Sequence, residues 1–290
     1  MSTFLALCLL SRLAYAFNDV LVGRLARRHS HVEIAALRGL SLGLTMAPLL
    51  LWVPATAWGA LAVRWPSYLL MIAATAACNV LQNHAARFLP FGLRSAVMIT
   101  TISVASVILG TTLFGERLSP AQALLCLLLV GAAVLAALGD HAAHEIQPDI
   151  PKGAALAFGA GLFLSVAAVL TKRLATATHP MLTAWAWEFG AGAILVPPLL
   201  WQWRRGVPPG FFGRFRSTAV ASAPTVVGSG ASIAALTLGA LGLWGALAGT
   251  QVLFTAVLGV LWHREAMGLR RWLCFLAAAA AVSGLALFAH

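Results

Sequence analysis

The chain has 290 residues, 61% of them hydrophobic and 9% charged, with a mean hydropathy of +0.90. A soluble domain carries about 25% charged residues and has no core large enough to hide this much apolar surface, so a water-soluble enzyme or regulator is excluded. The net charge of +11 would suggest nucleic acid in a soluble protein, but no basic run exceeds two residues; the arginines are assigned to span ends and lipid head groups, and no nucleic-acid partner is expected.

Apolar stretches of roughly 17–25 residues, the length that crosses a bilayer as helix, follow one another with short connections. The first, 3–23, holds Arg12, Tyr15, Asn18 and Asp19. Arg12 and Asp19 are seven apart, two helical turns, so they share a face with Asn18 beside it. Arg12, near mid-span, offers a planar fork to a substrate carboxylate or pairs with an internal acid. Asp19, closer to the end of its stretch, is a candidate proton-coupling site. The second stretch, 33–52, contains Gly39-x-x-x-Gly43, a small-residue contact. The third, 66–87, places Asn79, Gln82 and Asn83 at i, i+3 and i+4, one polar stripe that either lines a cavity or binds another helix. His84 at its end is a further proton-coupling candidate. The fourth and fifth are 91–114, with Thr101, and 119–139.

A polar segment, 139–150, separates these from a second set. The sixth stretch is 151–173. The seventh, 181–203, carries Trp185 and Glu188; a carboxylate at this depth couples a proton or holds a substrate ammonium against the neighbouring aromatic wall, or it pairs with an intramembrane arginine such as Arg12 or Arg94. The eighth, 217–239, contributes Thr225, Ser229 and Ser232, and the ninth, 242–262, Thr250 and Gln251. The tenth is 269–288. Pro48, Pro197, Pro198 and Pro224 mark expected kinks. Cys8, Cys78, Cys126 and Cys274 all lie inside stretches and far apart, so neither a disulfide, a metal nor a cofactor is expected.

The two sets are one pattern written twice. Gly110 and Glu116 stand 149 positions before Gly259 and Glu265, and Arg24-Leu25-Ala26 stands 149 before Arg173-Leu174-Ala175. Five crossings per repeat invert the second copy, so the expected fold is an all-α integral membrane protein with ten transmembrane helices in two inverted five-helix repeats, 1–138 and 151–290. Such duplication is the architecture of secondary transporters, with a site near the midplane between the halves. Thr101 and Thr250 are symmetry mates on this offset; Gln251 has an isoleucine as its counterpart, an asymmetry suited to an asymmetric ligand.

At Gly115-Glu116-Arg117-Leu118-Ser119 the chain resembles the EamA family of the drug/metabolite transporter superfamily, in which a Glu-Arg-Leu-Ser-like turn ends the fourth helix of each repeat. Arg87-Phe88-Leu89-Pro90 resembles the family's link between third and fourth helices, Arg38 in Ala-Leu-Arg the arginine opening its second, and Gly131-Ala132-Ala133-Val134-Leu135 the small-residue run of its fifth. The second copy keeps Glu265 but departs on both flanks, and Tyr15 stands where the family often has tryptophan. The resemblance implies a ten-helix, multi-pass carrier in a bacterial inner membrane. It implies alternating access driven by protons or exchange, and export of a small polar metabolite such as an amino acid or amine-bearing compound.

The substrate site is expected at Arg12, Tyr15, Asn18, Asn79, Gln82, Asn83, Thr101, Trp185, Glu188 and Gln251, with Glu188, Asp19 and His84 for protons. Partners are the small-molecule substrate, the lipid bilayer and protons, in a monomer or homodimer. An importer of the same fold is the alternative. An intramembrane enzyme would need a nucleophile elbow or a metal-binding HExxH, and the chain has neither; a non-transporting receptor sits poorly with the duplication. Orientation divides the arguments. Twelve basic residues lie on the side opposite the termini and four on the termini side, so the positive-inside rule puts the termini outside, whereas the family resemblance puts them in the cytoplasm.

Overall fold

In hydrocarbon, backbone N–H and C=O groups find no water, and the helix satisfies them within one segment. The computed structural model describes residues 2–89, 91–137, 149–204, 206, 210–263 and 268–287; helices joined by turns and short irregular links make up these residues, with no strand among them. In chain order the helices are α1 (Ser2–Arg28), α2 (His31–Met46) running into a 3-10 turn (Ala47–Trp52), α3 (Ala55–Val63), α4 (Trp65–Ala85), α5 (Phe91–Phe114), α6 (Pro120–Ala137) and α7 (Ile150–Ala177). There follow α8 (Pro180–Ala193), α9 (Val196–Gln202), α10 (Phe211–Ser222), α11 (Pro224–Leu238), α12 (Leu241–Leu247), α13 (Gly249–His263) and α14 (Leu269–Leu287). Among the described residues, 4 helices are long and apolar enough to cross a membrane unaided, and 6 spans result if the bent pairs α3–α4 and α10–α11 each count as one. Pro120–Ala132, Leu241–Thr255 and Trp272–Leu285 are shorter apolar helices. The second glutamate of the repeat, Glu265, and most of the 139–150 connection lie outside the described residues.

The breaks have local causes. Proline is tolerated in a first turn, where its missing N–H has no intrahelical acceptor, and not in an interior. Pro197 and Pro198 open α9, and Pro224 opens α11 at 45° to α10. Pro48 sits in the first turn of the 3-10 segment. Two expectations need correction. The segment 53–65, read as a plain connection, contains α3, which turns by 82° into α4. Trp52, Trp58 and Trp65, on and beside α3, keep exposed indole surface. Helix α1 also continues past 23 to Arg28, so Asp19 is not near a solvated helix end; it is only 5% exposed.

The packing pattern survives exchange of the two halves. Helix α1 packs on α11 and α13, and its counterpart α7 packs on α4 and α5. The remaining large contacts join counterparts to each other: α2 with α8, α5 with α12, and α6 with α14. Small residues set the closest approach. A Cβ on Gly39 would lie 2.5 Å from the backbone nitrogen of Gly192, so α2 and α8 touch backbone to backbone, and Gly43 lies under the Phe189 ring. Glu116, beyond the end of α5, accepts from the N–H groups of Leu241 (2.8 Å) and Gly242 (3.1 Å) and pairs with Lys172 at 2.6 Å. It thereby caps the N-terminus of α12, where unpaired donors and the helix dipole favour a carboxylate.

Candidate functional site

Between the halves lies a cavity of about 90 Å³. Its polar wall is built by α1, which presents Arg12, Tyr15, Asn18 and Asp19, and by α4, which presents Asn79, Gln82 and Asn83 together with Thr75. Arg38 of α2 and Arg94 of α5 complete that wall. The rest of the lining is mainly apolar and aromatic: Leu164, Trp187, Ile233, Leu236, Trp244 and Ala248, with Ser232 and Gln251. The periodicity of α1 explains its share, since residues 12, 15, 18, 19 and 22 follow the 3.6-residue repeat along one face.

Three arginines and two carboxylates meet here. Arg38 lies 3.3 Å from Glu188 through both terminal nitrogens and donates to Asn79 Oδ1 at 3.3 Å. Glu188 is fully buried and also accepts from Ser229, whose hydroxyl is 3.0 Å from that of Tyr15. The small residues of the α2–α8 crossing bring this pair together: Arg38 precedes Gly39, and Glu188 stands one turn before Gly192. Asp19 accepts from Gln251 (2.6 Å) and Gln82 (3.5 Å) and interacts electrostatically with Arg94, which itself donates to the Gln82 carbonyl at 3.3 Å. Arg12 is different. It is 3% exposed, its guanidinium lies 4.5 Å from the Trp244 ring centroid, and it donates one long bond, 3.4 Å, to the Trp244 carbonyl. Its Nε has no hydrogen-bond partner, nor do Asn18 Oδ1 and Asn79 Nδ2.

The model of the EamA-like transporter family matches the chain twice, over residues 2–138 and 151–287. The chain belongs to this family. A crystal structure of a protein superposes with a TM-score of 0.76 over 98% of this chain and 97% of its own, at 15% sequence identity, which shows a shared fold. Among curated proteins no sequence match is found. As a member of a transporter family built of apolar helices, the protein is a multi-pass membrane protein whose setting is the lipid bilayer.

The two segments matched in this EamA-like transporter are displaced by 149 residues, the shift carried by the glutamates and the Arg-Leu-Ala triplets. On that register the cavity lies on the axis relating the halves. Tyr15 and Leu164, Arg38 and Trp187, Asn83 and Ser232, Ile99 and Ala248, and Ile102 and Gln251 are equivalent positions, and both members of each pair line it. Every charged lining residue belongs to the first repeat. Their counterparts are Gly161, Ala168, Trp187 and Leu243.

Of the residues singled out in the sequence, the structure brings Arg12, Tyr15, Asn18, Asp19, Asn79, Gln82, Asn83 and Gln251 together on the cavity wall. Four lie elsewhere. Glu188 sits behind Arg38, outside the lining, and its arginine is neither Arg12 nor Arg94. Trp185 donates to the Gly43 carbonyl at 3.2 Å and stacks on Phe189, in the α2–α8 contact. Thr101 packs where a Gly161 Cβ would stand, and its hydroxyl is returned to the Val97 carbonyl. His84 stacks on His31, ring centroids 4.4 Å apart. Among the lining residues not expected at the substrate site are Arg38, Arg94, Trp187 and Trp244. For the arginines a signal existed, because charge inside an apolar stretch is costly and retained for a partner or a cavity. Trp187 was legible only as part of the aromatic wall beside Glu188, and nothing local in the sequence singled out Trp244.

Proposed function

We propose that the protein is a secondary-active transporter that moves a small polar metabolite by alternating access, its ten spans forming two inverted repeats (1–138 and 151–290, joined by 139–150). The observation that carries this reading is the cavity on the exchange axis, lined by five pairs of equivalent positions. Rocking of one half against the other exposes such a site to either side in turn without dismantling it. The proline-marked break between α10 and α11 supplies a 45° bend, and Pro224 itself is not among the cavity-lining residues. Export is the direction common among the proteins the sequence resembles, and a bacterial inner membrane is the corresponding setting.

Asp19 is the acidic residue on the cavity wall among the described residues, and it is the coupling site in this reading. Its partners Gln251 and Gln82 come from opposite halves, so a proton on Asp19 changes the contact between the halves as well as the charge of the cavity. Glu188, held by Arg38 and Ser229, joins α2, α8 and α11 and is a fastening of the bundle. Small-molecule pools inside and outside cells expressing the wild type identify cargo and direction. Asp19→Asn, reconstituted in vesicles with that cargo, should exchange labelled for unlabelled molecules yet fail to accumulate it under an imposed pH gradient. Accumulation at the wild-type level would remove Asp19 from the coupling step.

A further inference from the structure

The charges around the cavity do not cancel in pairs, and the remainder has a location. Glu188 is engaged by Arg38 and Ser229. Both oxygens of Asp19 accept hydrogen bonds, and the charge faces Arg94. Arg12 contacts no carboxylate among the described residues; its neighbours are a backbone carbonyl, an indole face and the Tyr15 ring. A guanidinium cannot shed its charge at any ordinary pH, and a buried cation without an anion is among the costliest arrangements a protein can hold. Here the cation lines a cavity, with its Nε donor unused.

We infer that Arg12 is the receptor for an anionic group of the cargo, a single carboxylate, and that amines lacking a carboxylate are not cargo. This rests on the transporter reading above and narrows it. One guanidinium, with its Nε unpartnered and a single long bond from a terminal nitrogen, matches the demand of one carboxylate. A phosphate dianion would call for a second uncommitted cation, and Arg38 and Arg94 each already face an acid. An ammonium finds no carboxylate to spare. Beside Arg12 the cavity offers neutral groups. Asn79 has its oxygen fixed on Arg38, a pure donor, and its Nδ2 is a donor without a partner; Asn18 Oδ1 is an acceptor without one, and both residues line the cavity. The apolar part of the lining, with Trp244 beside Arg12 and with Leu236, suits an apolar body. The cargo class is therefore a small amphipathic monocarboxylate, with or without a neutral polar substituent.

The test is ligand-induced stabilisation of the purified full-length protein in nanodiscs. The probes are matched sets of carboxylate, primary amide and amine: lactate, lactamide and isopropanolamine; phenylacetate, phenylacetamide and phenethylamine; and inorganic phosphate. Carboxylates should raise the melting temperature while their amides and amines do not. Arg12→Gln should weaken that binding roughly ten- to a hundredfold, the worth of a hydrogen-bonded charge contact, and Arg12→Lys should restore part of it. Arg64→Gln, an exposed arginine far along the chain, controls for loss of surface charge. If Arg12→Gln does not fold, the wild-type ranking decides alone. Amides or amines binding as well as carboxylates, phosphate binding best, no carboxylate shifting the melt, or carboxylate binding that survives Arg12→Gln each overturn the inference. Vesicle flux separates this from the transporter reading. A non-carboxylate cargo that crosses the membrane leaves the carrier intact and removes Arg12 from its proposed role. Carboxylates that bind through Arg12 and never cross remove the carrier.

Discussion

Arg38→Met removes the cation at the α2–α8 crossing and leaves Glu188 fully buried with only the Ser229 hydroxyl facing it. At 3.3 Å separation and an effective dielectric of about 20, the lost attraction is about 5 kcal/mol. Removing one partner of a buried pair typically costs about 3–5 kcal/mol, because the other charge is stranded. The two figures agree, so a loss of that size is expected for Arg38→Met. Glu188→Met strands Arg38 in turn, but Arg38 lines the cavity and still donates to Asn79, so its loss should be smaller, about 2–3 kcal/mol on the same argument. In Arg38→Met/Glu188→Met neither charge is stranded, and stability should return to within about 2 kcal/mol of wild type. Thermal or denaturant unfolding of the four proteins in one detergent gives the coupling energy directly. Single variants that cost under about 1 kcal/mol each and simply add in the double would refute the claim that this pair fastens the two halves.

Glu116→Gln keeps the shape of the α12 cap but loses its charge, and should cost about 1–2 kcal/mol, with faster amide exchange at Leu241 and Gly242 than in wild type. Gly39→Ala should destabilise by more than about 2 kcal/mol, as overpacking against a backbone does, because the nearest atoms cannot move aside. Gly59→Ala, where the added methyl meets nothing within 4 Å, should be neutral or gain about 0.5–1 kcal/mol; unfolding of the pair in parallel checks both. Tyr15→Phe, which removes the hydroxyl 3.0 Å from Ser229, should cost about 0.5–1.5 kcal/mol, read by unfolding.

Much of this protein follows from composition and period. The apolar stretches can only be helices in lipid, and a shift of 149 residues is legible from two glutamates and an Arg-Leu-Ala triplet because a duplicated gene keeps its register. The polar faces of α1 and α4 were legible too: Arg12, Asn18, Asp19, Asn79, Gln82 and Asn83 recur at helical spacing, and a polar stripe in hydrocarbon must face something polar. Tertiary structure decided who faces whom. Glu188 and Arg38 are 150 positions apart, and their meeting depends on how closely α2 and α8 cross at Gly39 and Gly192, a distance that no local pattern encodes. Trp187, not Glu188, turns to the cavity, because one residue along a helix rotates the side chain by about 100°. The solitary state of Arg12 is likewise a property of the assembled bundle: whether a charge has a partner depends on every helix packed around it, and only the fold brings those helices together.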